Sequence, residues 1–134
     1  MKRTPLKRTR SVLRRDFDAE AAKAWLGSMG WRCAVCGERQ RRERLEGHHV
    51  IPQRLIRAHV RSLAHTLKLP DAEAVVLLRR LLWDPRNGVP VHRECHARLE
   101  RRFATIVPSD EAWDFARELG LEWWLEKHYA KEAA

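Results

Sequence analysis

The stretch Leu45 to Pro52, LEGHHVIP, sets two imidazoles side by side, His48 and His49. A third, His96, directly follows a cysteine in the run His92-Arg93-Glu94-Cys95-His96, and Cys33-Ala34-Val35-Cys36 is a tight cysteine pair. Cys33-x-x-Cys36 offers two thiolates from one turn, and His92-x-x-Cys95 offers an imidazole and a thiolate from another. Two such pairs, far apart in sequence, are how a tetrahedral Cys3His zinc site is assembled. All four ligands would be protein atoms, so such a site is closed and structural. A lone C-x-x-C also fits redox chemistry, and His92 alone a surface histidine; the two pairs together favour zinc.

That clamp leaves His48, His49 and His96 beside it and outside it. Neighbouring residues of a strand point to opposite faces, so His48 and His49 are expected to do different jobs. One can ligate a second, catalytic metal together with His96, while the other faces an open site and acts on water.

The order Cys-x-x-Cys, His-His-Val-Ile-Pro, Asn87, then His-x-x-Cys-His resembles the HNH endonuclease family with its ββα-metal fold. Eight residues separate Asn87 from His96, a spacing usual in that family, and the resemblance covers about residues 31 to 104. It implies His48 and His96 as ligands of a catalytic divalent ion and His49 as the general base for the attacking water. Asn87 would hold the loop and the orientation of the base. Asn87-Gly88 is also a strong hairpin-turn dipeptide, so turn-making alone could account for it. Phosphodiester hydrolysis needs a hydroxide near neutral pH, which an imidazole of ordinary pKa near ~6.5 can generate. The implied cofactors are a structural Zn2+ and a catalytic Mg2+ or Mn2+, with Ni2+, Co2+ or Zn2+ as choices for a nitrogen-rich site. Two features depart from the common pattern. His92 stands where most zinc-bearing members have a third cysteine, and 37 residues separate His49 from Asn87.

The elements that must position these groups are mostly helical. DFDAEAAKAWLGSMG, from Asp16, carries Phe17, Ala21, Ala24 and Trp25 on one stripe. WRCAVCG reads as a metal-binding knuckle, and HHVIP as a strand. Residues 52 to 67 form a helical stripe at positions 55, 56, 60, 63 and 67; Pro70 breaks it, and Asp71 is the expected N-cap of AEAVVLLRRLLW. NGVPV is a short strand or turn, RECHARLERRFA a helix, and DEAWDFAREL and LEWWLEKHYAKEA two further helices after Pro108-Ser109. The expected fold is α+β and mostly helical: a ββα-metal core with a structural zinc site and additional N-terminal, inserted and C-terminal helices. The expected organisation is a basic flexible arm, 1–15, and one domain, 16–134. Its motif core is 31–104, its helical insert about 53–84 and its C-terminal helices about 109–132.

Charge points the same way. The chain carries 27 Lys+Arg against 18 Asp+Glu, a formal net charge of +9. Seven of the basic residues and no acid fall in the first fifteen residues, MKRTPLKRTRSVLRR, so the remainder is only +2. Such an arm binds nucleic-acid phosphates by releasing counterions, although a solubilising tail has the same composition. The residues expected to touch nucleic acid are Lys2, Arg3, Lys7, Arg8, Arg10, Arg41, Arg42, Arg44 and Arg98. Glu46 could orient a histidine or simply face solvent. His59, His65 and His128 are read as surface or packing residues, and the six tryptophans mostly as core. No run approaches a membrane span and no signal sequence opens the chain, so a soluble, cytoplasmic protein with no membrane partner is expected.

The leading expectation is a metal-dependent HNH endonuclease that nicks or cuts DNA, acting as a monomer or homodimer. The resemblance extends to phage DNA processing or packaging, beside a terminase or another DNA-processing protein. The alternative is a zinc-stabilised DNA-binding or assembly protein without catalysis. It accounts for the cysteines and the arm but not for His48, His49 and His96 together.

Overall fold

The computed structural model describes Leu13, residues 18–39 and residues 45–129. The basic residues Lys2, Arg3, Lys7, Arg8, Arg10, Arg41, Arg42 and Arg44 lie outside these. Leu13, near the end of the basic stretch, is buried in the core, and its carbonyl accepts from the Arg57 guanidinium.

Helix α1 spans Ala19–Gly27. It starts at Asp18, whose carboxylate accepts from the Ala21 N–H at 3.0 Å, and buries a single residue, Trp25. Strand β1 (Leu45–His49) leads through a short bend into α2 (Gln53–Leu67), followed by α3 (Asp71–Leu82). A 3-10 turn, Pro85–Asn87, then feeds β2 (Gly88–His92) and α4 (Arg93–Glu100). The two strands pair antiparallel, with Leu45 opposite His92, His48 opposite Val89 and His49 opposite Gly88. β1, β2 and α4 are therefore a ββα unit, with α2 and α3 inserted between its strands. Helices α5 (Asp110–Glu118) and α6 (Glu122–His128) close the chain. Ser109 caps α5 by accepting from the Ala112 N–H at 3.1 Å, and Gly120, at φ +69°, turns the chain into α6. The fold is mostly helical α+β, as expected.

Two local expectations are corrected. Asp71 is the first residue of α3 and not its cap; Pro70 takes the cap position with no side-chain hydrogen bond. Proline's fixed φ suits that extended position, and Asp71 and Glu73 still meet the positive end of the helix dipole. The apolar stripe of α2 also runs differently, through Ile56, Val60 and Ala64. Leu67 is 62% exposed. It lies in the last turn, where the chain reverses through Lys68 at φ 52° into α3.

The core is continuous beneath the small sheet. It joins Val50 and Ile51 after β1, Ile56 and Val60 of α2, Leu78 and Leu82 of α3, and Phe115 and Leu125 of the last two helices. Arg86 ties the 3-10 turn to α5, donating to Glu118 at 2.8 Å and to Asp84 at 3.0 Å over the Phe115 ring. Among the described residues, no helix is long and apolar enough to cross a membrane.

Candidate active site

The knuckle comes first, because it joins the two halves of the sequence. Gly37 takes φ +75°, which closes a turn in which its N–H donates to the Cys33 carbonyl at 2.8 Å. The Ala34 N–H donates to the Pro90 carbonyl at 2.8 Å, holding the knuckle against β2. Donor atoms of Cys33, Cys36, His92 and Cys95 then lie within 4.8 Å of one another. His92 Nε2–H donates to the Arg39 carbonyl at 3.2 Å, which leaves Nδ1, 3.3 Å from the Cys36 sulfur, to face the cluster. Such an outer partner fixes the tautomer of a metal-binding imidazole. Burial pushes the Cys33 thiol up, but backbone N–H groups of Cys36, His92 and Val35 outweigh it and hold the thiol at about 7. Burial and the neighbouring sulfurs of Cys33 and Cys36 push Cys95 up to about 12. Three sulfurs packed this closely become thiolates together only around a cation, and a donor set of three sulfurs and one imidazole nitrogen fits zinc.

The histidine pair stands at the far end of β1. On one side His48 meets His96 of α4, their rings edge to face with centroids 5.1 Å apart. His96 Nδ1–H donates to Glu46 Oε2 at 2.9 Å, so Nε2 carries the lone pair, beside Glu100 Oε1 at 3.5 Å. His48 Nε2 lies 3.3 Å from the Tyr129 hydroxyl. Two imidazoles thus meet here, one of them already oriented by a carboxylate, as metal-binding histidines commonly are.

His49 is held differently. Its ring lies flat on the Trp25 indole, centroids 4.3 Å apart and planes 20° apart. Nε2–H donates to the Leu82 carbonyl at 2.7 Å. A carbonyl only accepts, so the proton is on Nε2 and the lone pair on Nδ1, with the Gln53 amide at 3.5 Å. The Trp25 N–H is itself fixed, donating to the Asp84 carbonyl at 3.1 Å. A Cβ on Gly47 or Gly88 would overlap that indole, which explains glycine at both positions of the sheet face.

Burial lowers both imidazoles, His48 and His49, to about 4. Both are therefore neutral at pH 7, and their lone pairs are available to a cation or a proton. His48, His49 and His96 share one cleft of about 680 Å³. Asn87 is wholly buried beneath it, with both ends of its amide on the backbone of Ile51.

The chain matches the HNH endonuclease family over residues 33–107, more than half of its length. The chain belongs to the HNH endonuclease family. No curated protein and no solved structure matches it significantly. Membership supports a nuclease-type function with DNA as substrate, and the matched span runs from the first zinc-type cysteine to just beyond α4.

Within this HNH core the structure brings together Cys33, Cys36, His92 and Cys95 in one cluster and His48, His49 and His96 in one cleft, while Asn87 lines neither and binds the Ile51 backbone. Strand alternation does separate the neighbours of His48 and His49, yet both rings reach the same cleft because β1 ends there. Arg98 is exposed on α4 but does not line the cleft. Sequence reasoning passes over Glu100, although its spacing from His96, one helical turn, is a readable signal. It also takes Trp25 only as core. Tyr129 lies 81 residues from His48 and gives no signal.

Proposed function

We propose that this chain is a divalent-metal-dependent endonuclease that hydrolyses DNA phosphodiester bonds, with His49 as the general base. The observation that carries the reading is the His49–Leu82 hydrogen bond: it sets the tautomer, so that Nδ1 presents its lone pair to the cleft. Nδ1 takes a proton from the attacking water, and the positive imidazolium so formed is stabilised by the Leu82 carbonyl. Burial keeps this imidazole unprotonated at neutral pH. The negative charge of an arriving phosphate opposes burial and raises its proton affinity when transfer occurs.

His48 and His96 would hold the catalytic ion, with Glu100 beside them and Glu46 fixing the His96 ring. When bound, that ion supplies positive charge to the phosphate and to the leaving 3′ oxygen. Asn87 positions the bend after β1, and with it His49. Cys33, Cys36, His92 and Cys95 would hold a structural zinc that pins β2 and α4 to the knuckle. One cleft cuts one strand, so a double-strand break calls for a second copy or two successive nicks.

The non-catalytic alternative needs the zinc cluster but gives no reason for three buried or half-buried histidines around one cleft. Supercoiled plasmid incubated with zinc-loaded protein and a panel of Mg2+, Mn2+, Co2+ and Ni2+ tests the proposal. Open-circular product with at least one added ion is expected. Intact plasmid throughout, with binding retained, would favour the alternative.

A further inference from the structure

The cleft has a wall that the family match does not include. Its histidines come from β1 and α4, but its other side is built by the end of α6, at residues 127–129, beyond the matched span. There Lys127 and His128 stand with Arg102, from the loop after α4, and Arg54, from the first turn of α2. The Arg102 guanidinium donates to His128 Nδ1 at 3.5 Å. Burial, then the charges of Arg102, Lys127 and Arg54, hold His128 below the ordinary histidine range, so it stands as a neutral imidazole among three cations. The acidic residue of the lining, Glu100, lies toward His96 instead, 3.5 Å from it. Three cations and one imidazole thus gather at one wall of the cleft, an arrangement that gains from an anion between them.

Their distance from the chemistry is set by the backbone. Tyr129 touches His48 at 3.3 Å, and Lys127 and His128 are its immediate predecessors. With ~3.8 Å between successive Cα atoms, they stand within roughly one or two nucleotide steps of the histidines. Arg102 follows the C-terminus of α4 at φ 62°, in a left-handed cap closed by the Phe103 N–H on the Arg98 carbonyl at 2.8 Å, which fixes where its side chain leaves the helix end.

We propose that Lys127, His128, Arg102 and Arg54 form a second phosphate-binding site, which holds the DNA backbone beside the scissile phosphate. The proposal rests on the nuclease reading for its substrate. It adds that α5 and α6, outside the family core, serve to bring this basic wall to the cleft. A wall of this kind reads backbone and not sequence, and its contribution falls as salt rises.

Binding of a short duplex to the full zinc-loaded chain, with no other divalent ion added, is measured from low to moderate salt. R102Q/K127Q is expected to bind several-fold more weakly, with a slope of log affinity against log salt shallower by about 2, one for each phosphate that loses its cation. R102G shortens the side chain at a backbone position that suits glycine, so a folding defect does not account for its weaker binding; its slope should fall by about 1. R80Q, an exposed arginine on α3 away from the cleft, should leave the slope unchanged. Unchanged affinity and slope in R102Q/K127Q, or an equal weakening in R80Q, would overturn the proposal. A wild-type chain that leaves plasmid uncut with every ion overturns the nuclease reading instead, and the slopes still decide whether the wall binds phosphate.

Discussion

Asn87 clips the backbone of Ile51 from both sides: its Oδ1 accepts from the Ile51 N–H at 2.7 Å, and its Nδ2 donates to the Ile51 carbonyl at 3.0 Å. The Asn87 carbonyl also accepts from the Val50 N–H at 3.0 Å, so a residue at the head of β2 fixes the bend that follows His49. Removing the side chain leaves two buried backbone groups unpaired, each at about 1–3 kcal/mol. Asn87→Ala should therefore lose about 2–5 kcal/mol in urea unfolding of the zinc-loaded protein. A loss under about 1 kcal/mol would mean that Asn87 does no more than shape a turn.

Glu46 governs the orientation of His96 through the 2.9 Å hydrogen bond to Nδ1. Glu46→Gln keeps the shape but removes the charge and allows the wrong tautomer. Affinity for the catalytic ion, measured by calorimetry with Mn2+, should fall about 10–100-fold, while the zinc content stays the same. Equal Mn2+ affinity in the variant would show that Glu46 is a solvent-facing strand carboxylate.

Much of this site is legible in the sequence because its residues come in short, spaced sets. Cys33-x-x-Cys36 and His92-x-x-Cys95 each turn two ligands to one side, and pairing of β1 with β2 does the rest. His48, His49 and His96 follow from the same arithmetic. What spacing does not encode is what a side chain packs against after the chain has folded. The Leu82 carbonyl that orients His49 comes from the end of an inserted helix, and the indole beneath it from α1. Gly47 neighbours the histidines in sequence, and only the fold shows that it leaves room for Trp25. In α2 the helical period of the stripe holds, but its fully buried line runs through Ile56, Val60 and Ala64. His128 reads as a surface or packing residue by sequence, and it lines the cleft because α6 folds back there.

The knuckle should hold one zinc per chain, and its loss should be a folding event. Treatment with a strong chelator, or Cys33→Ser, is expected to lower the thermal midpoint by at least about 10 °C, since a structural zinc site contributes folding free energy directly. Zinc stoichiometry and differential scanning calorimetry check this together. A chain that melts at the same temperature without metal would contradict a structural role for the cluster.

Acid stability has a separate origin. Arg86 donates twice to Glu118 and holds its carboxyl below the ordinary glutamate value. A depressed folded pKa means stability that is present above the unfolded value, near ~4.3, and is lost as pH falls through the folded one. Glu118→Gln should therefore melt below wild type at pH 7, and the difference should close below about pH 4. An equal difference at both pH values would show that the ion pair has no part in it.

His49 is the residue on which catalysis stands or falls. Plasmid nicking by wild type and His49→Ala, at equal zinc content and with the same added divalent ion, is the most direct measurement. His49→Ala should nick about 10²–10⁴-fold more slowly while binding DNA as tightly as wild type. Nicking by the variant within a few-fold of the wild-type rate would contradict the assignment of the general base.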